Sequence, residues 1–348
     1  PPVLVEDPSQ AASTIKVMIT VVCLVSARCS VRAQEGSRIG IIGLDTSQST
    51  AFTELLNGTS DDPLAREFEV VAAYPYGSTT IPSSRDRIPG YIETVRKFGV
   101  EITSSIAELL DKVDCVLLET NDGRMHLEQA GGVCSWGKTC DVDGALAAAR
   151  GEAIAIYELA DRCGASVVTS SALRYSPQNA ALRSGEFGKI LGADCYSPHT
   201  VEPTHPDFGF YGIHGVETLY TLMGTGCEAV SRIHSPMGDI VSGRWNDGRL
   251  GTFRAVVKGP AVYGGTAFTE KGTVAAGGYA GYKVLLDEIL NYFKSGVSPI
   301  SKEETLGIFT FMKASNMSLE RDGREVTMDE AYAEGEKEAR KLLKAYDK

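Results

Sequence analysis

The chain has 348 residues, 43% hydrophobic and 23% charged, which is ordinary for a globular protein long enough for two domains. Its formal net charge of −11 argues against nucleic acid as a partner, because the nucleic-acid phosphates would be repelled. The charge favours a protein that binds a small molecule, without indicating which one.

The first predicted element is a leader over residues 1–33. Lys16 precedes an apolar run at 17–25, which is too short to span a bilayer as a helix. Val31-Arg32-Ala33 then fits the small-x-small rule for signal-peptidase cleavage. We therefore expect a signal peptide, a mature chain from Gln34 without a membrane span, and a periplasmic or extracellular location. If the leader is not a signal, the location is cytoplasmic.

From residue 38 strands and helices alternate, as is typical of a parallel sheet with helical crossovers. Strands are predicted at 38–42, 68–74, 100–103, 114–120 and 165–171, of which 100–103 is short. Helices between them are predicted at 47–57, 91–99, 105–113 and 152–164. This alternation predicts a Rossmann-type nucleotide-binding domain over residues 37–172.

After residue 172 the pattern changes to that of an antiparallel sheet, with turn signals at Asn246-Asp247-Gly248 and Lys271-Gly272. Strands are predicted at 188–198, 228–235, 238–246, 249–258 and 261–270. Helices are predicted at 213–223, 280–295, 302–319 and 328–346, the last of them a solvated amphipathic helix. The expected fold is α/β: a Rossmann-type parallel sheet domain followed by an α+β domain, residues 173–348, with a large, mainly antiparallel sheet.

The turn after the first strand departs from the G-x-G-x-x-G fingerprint of dinucleotide-binding proteins. Gly43 is the only glycine of the three, and Asp45 stands at the second position. A carboxylate beside a diphosphate costs on the order of 1–3 kcal/mol unless it rotates away or binds a cation. Alternatively, Asp45 or Ser47 simply caps the helix. Thr46, Ser47 and Gln48 can still donate to phosphate, so we expect weakened binding.

Five segments in this order point to a known family: DCVLLETNDGRMHLEQA, GKTCDVDGALA, LRYSP, FYGIHGVETLYTLMG and WNDGRLGTF. Over about residues 38–330 the chain resembles the family of glucose–fructose oxidoreductase, inositol dehydrogenase and MocA (Gfo/Idh/MocA). The resemblance implies an NAD(P)-dependent oxidoreductase acting on a sugar or polyol. In the family a lysine and a histidine relay the proton while the nicotinamide takes the hydride. The resemblance also implies a homo-oligomer, a dimer or tetramer.

Two catalytic candidates follow from the resemblance. His214 matches the family's histidine at a helix start, although it can also be a capping or core histidine. Asp143 matches the acidic residue before the catalytic lysine, but the lysine position itself holds Gly144. Because loss of a general acid or base typically removes ~10²–10⁴-fold in rate, we expect impaired or altered redox chemistry. The alternative is a non-redox carbohydrate-binding pseudoenzyme, or a metal- or His-assisted lyase or hydrolase outside the cytoplasm.

Further candidate cofactor ligands lie where the strands end. Thr120 and Asn121 would lie at the carboxyl edge of the sheet, where such folds bind ligands. His126 matches the family's His-x-Glu helix start, or caps the helix. Tyr74 stands where an acid for the ribose is normally found, and would stack on adenine or pack in its loop.

A polar sugar pocket is predicted from the segment that enters the second domain. Arg174 can fork two hydroxyls or a carboxylate, and aromatic rings can stack on the apolar face of a pyranose. The candidate substrate-binding residues are Arg174, Tyr175, His205 and Tyr211.

Metal binding and disulfide formation are the remaining alternatives. His199, His205 and His214, with two carboxylates within 16 residues, could ligate a divalent metal, but their spacing matches no dedicated metal motif, and no metal is predicted. Cys134 and Cys140 could pair in an exported protein.

Overall fold

The computed structural model describes residues 37–260 and 262–347, so the predicted signal peptide lies outside the described residues. The first half of the chain forms a six-stranded sheet in the order β3-β2-β1-β4-β5-β6, in which all the pairs are parallel. Its strands are β1 (Ser37–Ile42), β2 (Phe68–Tyr74), β3 (Glu101–Ile102), β4 (Cys115–Leu118), β5 (Thr139–Asp143) and β6 (Val167–Ser170). Its helices are α1 (Ser47–Asn57), α2 (Pro82–Arg96), α3 (Ile106–Leu110), α4 (His126–Ser135) and α5 (Arg150–Cys163).

The strand, turn and helix predicted at the start of the sheet are present. The inner residues of β1 are completely buried, as expected for a central strand of a parallel sheet. Gly43 adopts a positive φ of 89°, and a Cβ there would lie 2.5 Å from Oγ1 of Thr120, so the turn requires glycine. The helix α1 is capped by Gly58, the residue after its last turn, whose N–H donates to the carbonyl of Glu54 at 3.0 Å.

One helix of this domain differs from the prediction. The sequence pattern predicts a helix at 91–99, whereas α2 begins at Pro82 and ends at Arg96. Proline is tolerated in the first turn of a helix, where its missing N–H would have no partner. Only Ser84 and Val95 of α2 are buried, so this exposed helix has little apolar periodicity to read from sequence.

The second half of the chain is built on a seven-stranded sheet in the order β12-β11-β7-β10-β9-β8-β13. Its strands are β7 (Ile190–Pro198), β8 (Cys227–Ser235), β9 (Gly238–Trp245), β10 (Leu250–Val256), β11 (Gly264–Thr269), β12 (Gly272–Ala276) and β13 (Val326–Thr327). Its helices are α6 (Pro177–Arg183), α7 (Ile213–Met223), α8 (Lys283–Ser295), α9 (Lys302–Glu320) and α10 (Met328–Leu343). The sheet is mainly antiparallel, as predicted, but β7 and β10 pair in parallel.

The last helix returns to the first half of the chain. One face of α10 is buried, through Ala331, Gly335, Ala339 and Leu343, and the helix packs on α5. There Arg150 donates to the carbonyl of Tyr332 at 3.1 Å, and its guanidinium lies 4.1 Å from the centre of the Tyr332 ring. The opposite face of α10 is exposed, as expected for an amphipathic helix.

Within the described part of the chain, every helix is too short or too polar to cross a membrane. Cys134 and Cys140 are buried thiols and not disulfide partners, which corrects the possible pairing raised by the sequence.

Candidate functional site

A cavity of ≈ 300 Å³ lies between the carboxyl edge of the parallel sheet and the second domain. The first domain contributes loops that follow β1, β4, β5 and β6, which meet at one edge because the strands are parallel. The second domain contributes a mainly aromatic wall. The lining includes Thr46, Ser47, Gln48, Thr120, Asn121, His126, Asp143, Gly144, Ser171, Phe210, Tyr211, His214, Tyr263, Tyr279 and Tyr282.

Asp143 ends β5 and lies in the wall of this cavity. Its Oδ1 accepts a hydrogen bond from the side-chain amide of Gln48. Burial, followed by the charge of Asp45, raises the pKa of Asp143 to about 7. The carboxyl group therefore changes its protonation state near neutral pH, which suits a general acid or base.

His214, in the first turn of α7, lines the same cavity. Its Nδ1 lies 3.2 Å from Oγ of Ser171, a hydroxyl that can donate or accept, so either neutral tautomer is compatible with this contact. Burial lowers the pKa of His214 to about 4. The imidazole is therefore neutral at physiological pH and can accept a proton.

Gly144 lies between the two catalytic candidates: it follows Asp143 in the chain and lies beside the His214 ring. It has a positive φ of 51°, and a Cβ on it would lie 3.5 Å from Cε1 of His214. A side chain here would project towards the imidazole, which is where a proton-relaying lysine would be needed. Because glycine has no side chain, the space beside His214 is part of the cavity.

The Asp45 side chain fills the turn after β1. The carboxylate is fully buried and accepts hydrogen bonds from the backbone N–H groups of Ser78, at 3.3 Å, and Asn121, at 3.2 Å. A Cβ on Gly77 would lie 2.2 Å from Oδ2 of Asp45, so the next loop closes directly over the carboxylate. Burial raises the pKa of Asp45 to about 6, although these backbone hydrogen bonds oppose the shift.

The three polar side chains after Asp45 are also engaged within the protein. Thr46 donates to Glu119 at 3.0 Å, Ser47 Oγ lies 2.9 Å from the Tyr282 hydroxyl, and Gln48 donates to Asp143. Thr46 commits its hydroxyl proton to Glu119, whereas Ser47 can accept from Tyr282 and still donate, and Gln48 keeps a second N–H. The feature that does not fit a tightly held diphosphate is the Asp45 carboxylate, which occupies two backbone N–H groups beside this turn.

Two more buried carboxyl groups lie behind Asp143. Burial raises the pKa of Glu119 and of Asp141 well above the ordinary range, and the charge of Asp143 adds to both shifts. Glu119 Oε1 and Asp141 Oδ1 have no hydrogen-bond partner among the described residues. The raised pKa values favour the neutral, protonated forms of both groups, so they can donate as well as accept hydrogen bonds.

The fold is similar to those of several solved dehydrogenases. No family model and no curated protein matches the chain. A WlbA dehydrogenase from Bordetella pertussis, in complex with NADH and UDP-GlcNAcA, matches at 19% identity and a TM-score of 0.65, covering 84% of this chain and 98% of that one. A scyllo-inositol dehydrogenase from Lactobacillus casei matches at 14% identity and a TM-score of 0.68, covering 85% of this chain and 99% of that one. An oxidoreductase from Agrobacterium radiobacter, in complex with NAD+, L-tartaric acid and magnesium, matches at 12% identity and a TM-score of 0.65, covering 85% and 99%.

The chain has the Gfo/Idh/MocA dehydrogenase fold. The predicted fold class, with its parallel and mainly antiparallel sheets, is thereby confirmed. At these identities the comparison establishes the architecture, and the activity of this chain has to be inferred from its own residues.

Within the Gfo/Idh/MocA fold, most of the residues predicted for cofactor contact lie together at the cavity. Thr120, Asn121 and His126 line it with the loop after β1. His126 is buried, with Nε2 2.6 Å from the carbonyl oxygen of Thr120 and Nδ1 2.9 Å from that of Ala145, so it ties the ends of β4 and β5 together. Thr120 Oγ1, also buried, has no hydrogen-bond partner among the described residues.

The expectation that Arg174 contacts substrate is corrected by the structure. Its side chain is fully buried away from the cavity, paired with Glu217 at 2.9 Å and Glu304 at 2.6 Å. Glu217 also accepts the N–H of Ser171 at 2.9 Å, and Ser171 contacts His214. Arg174 therefore does not line the cavity and instead positions Glu217, which holds the Ser171 backbone beside His214.

Five other predicted residues also lie outside the cavity lining, while Tyr211 is within it: Gly43, Asp45, Tyr74, Tyr175 and His205. Tyr175 donates to Ser170 at 3.2 Å. Tyr74 packs edge-on against Tyr76, with ring centres 5.5 Å apart, as expected for a packed loop aromatic. His205 lies behind Phe210 and 3.4 Å from Asp122.

The histidines considered for a metal do not converge. His199 lies 3.2 Å from Asp207, His205 faces Asp122, and His214 faces the cavity. Among residues 37–260 and 262–347, no group of three or more His, Cys, Asp or Glu side chains is placed to hold a metal ion.

Several lining residues were not predicted from the sequence. Tyr263, Tyr279 and Tyr282 reach the cavity from the glycine-rich segment between β10 and α8, and Ser171 follows β6. Aromatic residues spaced among glycines in 259–282 were the available signal for the tyrosines. Arg87, on α2, also lines the cavity and donates to the backbone carbonyl of Asp45 at 3.4 Å.

Proposed function

We propose that this chain is a sugar- or polyol-directed protein of the oxidoreductase fold in which NAD(P) is held weakly and hydride transfer is impaired. The supporting observation is that Asp143 and His214 share one small aromatic cavity in which Gly144 stands at the lysine position. The site thus has two groups that can move protons, Asp143 and His214, and lacks the lysine of the family.

The shape and lining of the cavity support a sugar or polyol ligand. Its ≈ 300 Å³ is at the lower end of the roughly 300–1,000 Å³ usual for small-molecule sites. Tyr211 and Tyr263 offer ring surfaces for the apolar face of a pyranose. The unpartnered hydroxyl of Thr120 and the carboxyl of Asp143 offer hydrogen-bond partners for sugar hydroxyls.

The loop after β1 supports weak dinucleotide binding. A diphosphate in this position would meet the Asp45 carboxyl and would compete with the hydrogen bond that Thr46 donates to Glu119. The NAD(H) complexes of the solved neighbours make NAD or NADP the cofactor class to test.

We also propose that the protein is exported and forms a homo-oligomer, a dimer or tetramer. The export proposal rests on the sequence of residues 1–33. The oligomer proposal is supported by large apolar side chains exposed along the second sheet: Leu191, Tyr196, Ile233, Leu250 and Phe268. Light scattering of residues 34–348 would test the assembly, and a monomer would contradict it.

Calorimetric titration with D-glucose, D-fructose, D-glucuronate and myo-inositol tests the ligand class. We expect one or more to bind, and we expect Tyr211→Ala to weaken that binding about tenfold because a stacking surface is lost. Tyr76→Ala is the matched control, since Tyr76 is exposed outside the cavity. A dehydrogenase assay with NAD and NADP on the sugar that binds should give little or no turnover. Efficient turnover would contradict the proposed impairment.

A further inference from the structure

Asp143 and His214 are two proton-carrying groups placed around one small-molecule cavity. Asp143 lies at the carboxyl end of β5, and the His214 ring lies 3.5 Å from where a Cβ on the adjacent Gly144 would be. Gln48 fixes Oδ1 of Asp143, and Ser171 contacts Nδ1 of His214. Among the described residues, Nε2 of His214 has no hydrogen-bond partner, so it remains available to a ligand.

We propose that Asp143 and His214 act as an acid–base pair that enolises a carbonyl-bearing sugar in this cavity without a nicotinamide cofactor. This inference rests on the proposed sugar-binding function and adds a reaction to it. The ligand class is an open-chain or keto sugar, or a sugar acid, with a C–H bond next to its carbonyl group.

The reaction balances with the residues present. Nε2 of His214 takes the proton from the carbon next to the carbonyl, and the electron pair of that C–H bond forms the new C=C bond. The carbonyl π pair moves to its oxygen, which takes a proton from the Asp143 carboxyl, giving the enol. Reversal returns a proton from His214 to carbon and a proton to Asp143. No oxidant or reductant is consumed.

The protonation states of the two groups suit these roles. Burial and the nearby Asp45 keep the pKa of Asp143 near 7, and Glu119, Asp141 and Tyr282 are the other titratable groups around it. Burial keeps the pKa of His214 near 4, with the Tyr211 and Tyr263 rings packed beside it. Between these values Asp143 carries its proton and His214 does not, as the reaction requires.

The surroundings favour this chemistry over a relay to a nicotinamide. Gly144 supplies no cation to stabilise an alkoxide, so a polarised carbonyl oxygen must take its proton from Asp143. The aromatic wall of Phe210, Tyr211 and Tyr263 limits water around the enol, which is stabilised by the hydrogen bond from the acid.

Deuterium exchange tests this inference. Protein stripped of nucleotides is incubated in D2O with D-glucose, D-fructose or D-glucuronate, and loss of the proton signal next to the carbonyl is followed by NMR. myo-Inositol has no carbonyl and serves as the negative control. We expect exchange without added nucleotide, fastest between pH 4 and 7, and unchanged by added NAD. We expect Asp143→Asn and His214→Gln each to slow it ~10²–10⁴-fold while the calorimetric Kd changes little.

The matched control is His199→Gln, because His199 lies outside the cavity, paired with Asp207. It should leave the exchange rate unchanged, and circular dichroism should show that all three variants are folded. A sugar that binds without exchanging, or exchange that requires NAD or survives both substitutions, would overturn the inference and leave the sugar-binding function intact. If none of the sugars binds, the proposed function fails, and this inference fails with it.

Discussion

The backbone N–H of Asn121 donates to Oδ1 of Asp45 at 3.2 Å, joining the loop after β4 to the loop after β1. In a dinucleotide-binding sheet the second glycine at this turn allows the pyrophosphate to approach the backbone. Here the chain supplies its own anion, and the carboxylate occupies N–H groups from two neighbouring loops. The carboxylate that we propose disfavours a diphosphate therefore also joins these loops.

Replacement of the carboxylate should restore part of the cofactor affinity. Asp45→Gly removes a negative charge and frees the N–H groups of Ser78 and Asn121. Removal of a repulsion on the order of 1–3 kcal/mol corresponds to a Kd for NAD at least fivefold lower than in the unmodified protein. Calorimetry measures this, with Asp61→Gly as control because Asp61 is fully exposed beside Arg66. Equal affinities in both variants and the parent would show that Asp45 does not limit binding.

Asp143 should make stability pH-dependent. Its folded-state pKa of about 7 exceeds the unfolded value near 4, so the folded protein holds a proton that the unfolded chain releases. The stability from this group is complete below about pH 4 and is lost as the pH rises through 7. The Asp143→Asn variant lacks this loss, so its unfolding free energy relative to the parent should increase by roughly 2 kcal/mol between pH 5 and 8. Urea denaturation at both pH values measures it, and a constant difference would refute the raised pKa.

A side chain at Gly144 should weaken ligand binding, in addition to the cost of placing it at a positive φ. Gly144→Ala and Gly137→Ala both place alanine at a positive φ, 51° and 64°, which costs about 1–2 kcal/mol each. A Cβ at Gly137 meets nothing within 4 Å, whereas at Gly144 it approaches His214 in the cavity. Both variants should lose similar stability, but only Gly144→Ala should weaken sugar binding. Equal sugar affinities would place the ligand elsewhere.

Arg174 should behave as a structural cation. Arg174→Met leaves Glu217 and Glu304 without their buried partner, which should cost about 3–5 kcal/mol of unfolding free energy. Arg244→Met, at an exposed pair with Glu228, should cost less than about 1 kcal/mol. Urea denaturation compares the two. If Arg174→Met were as mild as the control, the buried pairs would not support the site.

The fold and much of the site were predictable because they depend on local pattern. Alternating apolar runs located five of the six parallel strands, and the rule that ligands bind at their carboxyl edge predicted Thr120 and Asn121 at the site. Tyr211 was predicted as a ring for sugar stacking, whereas Asp143 and His214 were predicted only from the resemblance to the Gfo/Idh/MocA family.

What the sequence could not predict depends on distant partners. Arg174 has the chemistry of a carboxylate or sugar ligand, and only the fold shows that Glu217 and Glu304, 43 and 130 residues away, already pair with it. Asp45 was recognised as an unfavourable neighbour for phosphate. Its contacts with Ser78 and Asn121 come from two other loops and were not predictable from the β1 turn.

The most direct test is a calorimetric titration of residues 34–348 with NAD and with NADP. The buried Asp45 carboxylate, which occupies the N–H groups of Ser78 and Asn121, predicts no saturable binding below millimolar concentrations of either nucleotide. Saturation at micromolar concentration would contradict this account, because it would show that the filled loop opens readily to hold a diphosphate.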